Sequence, residues 1–182
     1  MLPAAQVVAI PSTRLSGTFG TTSYDAVAGV AHIDGHGNAQ RWVWLHADLG
    51  GGDVLEIVSA TARRPAMRRL PPLALLQLRV AGKDWPGDPL VAAALFRTRI
   101  GAEAFRVRGM VGRRRLTVDV ALPEERCVRL GYTDPDGATS SCTNTERADA
   151  RVLLEHLTSG GWHEERSWTL AGTAHAEIGT RP

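Results

Sequence analysis

Leu116, Val118, Val120 and Leu122 alternate with Thr117, Asp119 and Ala121. A two-residue period puts the larger apolar side chains on one face of an extended chain, the pattern of a strand with one buried side. The run from Phe105 to Met110 precedes it, with Gly112 and Arg113 near the reversal, so residues 103 to 122 read as a hairpin. Further strand-like runs begin at Ser12, Tyr24, Arg41, Val54, Leu73, Arg126, Ala150 and Ser167, most of them separated by Gly, Pro or Asp clusters. The glycines before Asp53, the segment Asp134 to Gly137, and Gly160 with Gly161 are turn chemistry: glycine accepts positive φ, and aspartate side chains bond nearby backbone. Many short strands with frequent turns predict a mainly β, antiparallel barrel or sandwich. Two stretches depart from that pattern. Pro89 to Arg99 reads as a short helix with Asp88 as its cap and Pro89 at its first position. Thr145 to His156 has helical propensity but reads equally as a strand entering through Val152, Leu153 and Leu154.

The chain has 182 residues and reads as a single domain over 1–182, without repeat, linker or low-complexity tract. Its 21 Lys+Arg against 19 Asp+Glu leave +2, which argues against a dedicated nucleic-acid binder. No apolar run approaches the roughly 20 residues of a membrane-spanning helix. Met1 to Ile10 is apolar but short and has no basic residue ahead of it, so no signal peptide is read and a cytoplasmic protein is expected. Arg113, Arg114 and Arg115 read as a solvated hairpin tip, because a phosphate clamp needs basic residues converging from several elements. Cys127 and Cys142 lack the paired Cys/His spacing of a structural zinc site. Tyr132 to Gly137 lacks the further ligands of a calcium loop. Neither a nucleophile elbow nor a phosphate-binding or dinucleotide-binding glycine motif is present, so no cofactor is expected.

The densest chemistry lies between Gly29 and Val58. In extended backbone His32 and Asp34 share one face, with His36 next if the strand runs through Gly35. Three readings are open: a turn pinned by hydrogen bonds, an acid/base or polar recognition site, and a divalent metal site. Trp42, Trp44 and His46 follow on alternate positions, so both indoles project to one side, either into the core or along the wall of a pocket for a flat apolar ligand. His175 and Glu177 again stand two apart near the end, as a buried structural pair in a barrel interior or as a second acid/base set.

These pieces carry a resemblance. Ala31 to Asn38, Trp42-Val43-Trp44 and Asp48 to Ile57 resemble the middle signature of the lipocalin-like AttH, carotenoid 1,2-hydratase and tocopherol cyclase group. In that group an aspartate motif precedes a Trp-x-Trp strand and a hairpin. The match covers about a sixth of the chain, and Gly35 and His36 stand where the group continues His-Asn-Trp. The resemblance implies a calycin-type barrel enclosing a pocket for an isoprenoid-like or polyketide-like molecule. It further implies that Asp34, assisted by His32 or His36, protonates an alkene while indole faces stabilise the cation. Trp42, Trp44, His46, His175 and Glu177 are the expected ligand-binding residues. The motif lies near the start of the chain, leaving room for one barrel, so a second copy or a partner is expected to complete the cavity. The alternative from another class is a non-catalytic structural or interaction module whose polar motifs only pin turns.

Overall fold

The computed structural model describes residues 4–19, 21–35, 39–62, 70–133 and 137–181. The chain divides into two compact units, Met1–Asn38 and Ala39–Pro182. The first unit is an antiparallel hairpin of β1 (Ala4–Phe19) and β2 (Thr22–Gly35). An exposed ion pair between Arg14 and Asp25 crosses it.

The second unit holds β3 (Ala39–Gly50), β4 (Asp53–Ala62), β5 (Leu73–Val80), β6 (Lys83–Trp85), α1 (Pro89–Leu95), β7 (Phe96–Ile100), β8 (Ala104–Val111), β9 (Arg114–Ala121), β10 (Val128–Thr133), β11 (Thr139–Thr158) and β12 (Gly161–Thr180). Among the described residues the fold is mainly β and antiparallel, with one short α-helix, as the alternation predicts. Asp88 caps α1 by accepting from the Leu90 N–H at 2.9 Å, and Pro89 opens the helix where its missing N–H costs nothing. The hairpin expected over 103 to 122 is β8 and β9. The stretch Thr145 to His156 is strand, inside β11. Among the described residues no helix is long and apolar enough to cross a membrane.

Hydrogen-bonded order runs β6-β5-β4-β3-β12-β11-β9-β8-β7, with β10 beside β11. Among the described residues the path begins at β6 and ends at β7 and does not close into a barrel. The twenty-residue strands β11 and β12 belong to both halves of the sheet. Their ends near Ser141 and Thr180 lie between β10 and β3, whereas residues 149–156 of β11 pair with β9. Register shifts between Thr145 and Ala150 mark the passage from one half to the other, as β-bulges do where a strand bends. Across the interior, Ser59 of β4 donates to Thr98 of β7 at 2.7 Å, and Arg41 of β3 donates to the Ile100 carbonyl at 3.1 Å. The far end of the path is thus folded back over its start.

Between these halves lies one contiguous apolar cluster that includes Val43, Leu45, Leu55, Ile57, Leu76, Phe96, Val107, Val118, Val152 and Ala176. Phe96 lies over Gly109, its cross-strand partner: a Cβ at Gly109 would stand 2.4 Å from the Phe96 ring. The three arginines at the hairpin tip are bound to the neighbouring hairpin. Arg113 donates to the Leu157 carbonyl at 3.0 Å, Arg114 pairs with Glu165, and Arg115 pairs with Glu155 while its guanidinium stacks 4.4 Å from the Trp162 ring. Gly109→Ala must displace a fully buried ring, and overpacking of this kind costs roughly 1–3 kcal/mol. Denaturant unfolding is expected to show that loss, with partial recovery in the Gly109→Ala, Phe96→Leu double variant.

Candidate functional site

Strand alternation divides β3 cleanly. Val43, Leu45 and Ala47 are buried and belong to the core, while Trp42, Trp44 and His46 are half-buried on the opposite face. In β12 the same division sends Ala174, Ala176 and Ile178 to the core and His175 and Glu177 outward. Register then gathers the outward set: His175 pairs with His46, Glu177 with Trp44, and Gly179 with Trp42. All five residues expected to bind ligand therefore share one sheet face, but it is the face turned away from the apolar cluster. The core reading of the indoles does not hold, because the intervening aliphatic residues occupy the core. The reading of His175 and Glu177 as a pair inside the barrel fails for the same reason.

Two hydrogen-bonded sets flank Trp44. In one, Glu56 of β4, directly opposite His46, bonds His46 Nδ1 with one carboxylate oxygen and accepts from Trp44 Nε1 at 3.3 Å with the other. That carboxylate raises the His46 pKa above its ordinary 6.5, against the opposing effect of partial burial. With Nδ1 engaged, Nε2 is the nitrogen left for a ligand. In the other set, Asn144 of β11 donates from Nδ2 to Glu177 at 2.8 Å and to His175 Nε2 at 3.1 Å. The His175 proton then sits on Nδ1, which faces the exposed carboxylate of Glu146 at 3.3 Å. The Trp44 and His175 rings are tilted against each other with centroids 4.5 Å apart. Trp42 is differently placed: its ring lies on Gly179, where a Cβ would come within 1.9 Å of it. It covers the strand beside the site.

Beyond Asn144 on the same face, Cys142 is buried, and burial together with the charge of Glu177 pushes its thiol up to about 12. Burial, with Glu177 and Cys142, also raises the Tyr132 phenol. Cys127 and Cys142 are both free thiols. Among the described residues no group of three His, Cys, Asp or Glu side chains is placed to hold a metal ion.

His32 and Asp34 occupy alternate positions of β2, opposite Val7 and Ala5. His36 lies outside the described residues. Glu56 and Asn144 escaped the sequence reading. Glu56 was reachable, since pairing the strands around the glycine turn before Asp53 sets it against His46. Asn144 was not, because nothing in its neighbourhood reports that residues 31 and 33 positions away, His175 and Glu177, return to it.

The class so defined is an antiparallel β protein with an imidazole, carboxylate and indole array on an outer sheet face. No family model matches the chain, and no solved structure matches it. Two curated relatives do, both from Mycobacterium tuberculosis: uncharacterized protein Rv0493c of strain ATCC 25618 / H37Rv and uncharacterized protein MT0513 of strain CDC 1551 / Oshkosh. Each is 49% identical over 186 residues, a match that covers 100% of this chain and 54% of the relative. The chain spans about half the length of the curated relatives it matches.

The His46 shift fixes a direction for the pH dependence. A pKa raised on folding adds stability that is fully present below the unfolded value, near 6.5, and is lost as pH climbs through the raised folded value. Imidazole NMR is expected to place the His46 midpoint above 6.5 and to bring it down in Glu56→Gln, with the pH dependence of stability flattened in step. An unchanged midpoint in that variant would remove Glu56 as the cause.

Proposed function

We propose that this chain binds an apolar, isoprenoid-like or polyketide-like small molecule that carries at least one polar group, through the face bearing Trp44, His46, His175 and Glu177. The observation that carries the reading is the pair of hydrogen-bonded sets on either side of a half-buried indole. A tryptophan held by Glu56 and flanked by two fixed imidazoles offers apolar area of defined orientation together with donors of defined direction. His46, whose charged form Glu56 favours, suits a ligand hydroxyl, carbonyl or carboxylate. Trp42 supports the wall from its seat on Gly179. The proposed site is the outer face of the sheet, since side chains of the apolar cluster fill the interior.

Titration with a fluorescent polyene fatty acid, cis-parinaric acid, is expected to quench tryptophan emission. Trp44→Ala should weaken binding by about tenfold or more, and His46→Gln should do so for ligands with a polar head but not for a plain hydrocarbon. Indifference of both variants would reject the site.

The proton transfer that the resemblance implies for Asp34, with His32 or His36, concerns the other unit and is a separate proposal. Asp34→Asn is expected to abolish turnover of an alkene substrate while leaving its affinity intact. Wild-type turnover in that variant would retire the acid. The interaction-module reading has its own support in exposed Val128, Leu130 and Tyr132 along β10, a strand that among the described residues pairs with β11 alone. Failure of every apolar ligand to bind, joined to a concentration-dependent dimer in sedimentation, would favour it.

A further inference from the structure

The outer face of the other half of the sheet has a different chemistry. Register aligns two cross-strand rows on it. One runs Arg99, Arg106, Asp119, Arg151, Thr169 across β7, β8, β9, β11 and β12. The next runs Arg97, Arg108, Thr117, Leu153, Ser167 over the same strands. Five exposed arginines thus stand in these two rows with one carboxylate, although the whole chain carries only +2, while Asp149 and Glu155, which flank the rows, are each paired with a further arginine, Arg126 and Arg115. Arg99 stands directly opposite Arg106, and Arg97 opposite Arg108. Like charges so placed are unfavourable in an isolated sheet, and spacings of about 5 Å across strands and about 7 Å along them leave little room for relief. Asp119 is taken up by Arg106. Among the described residues Arg99 and Arg151 make no hydrogen bond or ion pair, and they line a groove of about 830 Å³ together with Arg106, Asp119, Arg126, Asp149 and Thr169, where Asp119 is paired with Arg106 and Asp149 with Arg126.

Beside this surface stands α1, whose sequence Pro-Leu-Val-Ala-Ala-Ala-Leu contains no polar side chain. Ala92 is buried, but Leu90 is 55% exposed, Leu95 is 48% exposed, and Val91 is also exposed. The helix leads directly into β7, and Arg97 Nη1 ties the two by donating to the Ala94 and Phe96 carbonyls at 2.9 and 2.8 Å. Met110, on the same side of β8 as Arg108, is exposed as well. An exposed apolar helix joined to rows in which arginines outnumber carboxylates satisfies both requirements of a peripheral membrane contact, shallow apolar insertion and attraction to anionic headgroups.

We propose that this face docks on an anionic phospholipid surface, with α1 entering the headgroup region and Arg97, Arg99, Arg106, Arg108 and Arg151 receiving phosphates. Charge complementarity sets the sign of the partner, and the apolar helix selects a bilayer over a nucleic acid. The two arginine rows contain no aromatic ring on which bases could stack.

The test is sedimentation of the intact chain with phosphatidylcholine vesicles, with and without phosphatidylglycerol, at low and high salt. Binding is expected only when phosphatidylglycerol is present, and salt should weaken it. The R99Q/R108Q/R151Q variant should lose about tenfold or more, as should L90S/L95S, while Arg129→Gln on β10 keeps wild-type affinity. Circular dichroism reports that each variant is folded, and Arg151→Gln alone is the milder variant, with a partial loss expected. Equal binding to uncharged vesicles, no binding to either, wild-type retention of the triple arginine variant, or tighter binding to a single-stranded oligonucleotide than to phosphatidylglycerol vesicles would each overturn the proposal.

Discussion

Asp149 sits where the longest hairpin changes direction. Its Oδ1 accepts from the Gly172 N–H at 2.6 Å and from Arg126 Nη1 at 3.0 Å, and Gly172 has the positive φ of 66° that the turn in the backbone requires. Thr145 adds a hydrogen bond to the Arg126 carbonyl at 2.6 Å. These contacts hold the irregular stretch in which β11 and β12 leave one half of the sheet and enter the other. Both outer faces follow from it. On one side of the bend β12 delivers His175 and Glu177 beside β3; on the other, β11 delivers Arg151 beside β9.

Much of the architecture was written locally. The alternation in β9, the turn glycines and the Asp88-Pro89 start of α1 each specify their element through nearest neighbours. Thr145 to His156 shows where that stops. Its local sequence reads equally as helix or strand, and the choice is made by Ala148, Ala150, Val152 and Leu154, which are buried between strands that flank it on both sides. The bulges between Thr145 and Ala150 also interrupt the two-residue period that would have disclosed the strand.

The site was legible in its membership more than in its location. Period two correctly groups Trp42 with Trp44 and His46, and His175 with Glu177, but it cannot say which of the two faces meets the core. That choice is made by Val43, Leu45 and Ala47, which are all apolar and fit the interior without a polar atom to satisfy. An indole held by a carboxylate and an imidazole held by another would each have needed its partner inside as well. Asn144, which joins His175 to Glu177, is a purely tertiary acquisition.

Two aromatic rings lie over glycines in neighbouring strands, Trp42 on Gly179 and Phe96 on Gly109. Each ring occupies the volume that its opposite number gives up, so neither member is free to drift by itself. In descendants of this gene, a side chain gained at either glycine would have to arrive with a smaller one across the strand. Positions 42 and 179, and 96 and 109, should therefore be inherited as couples.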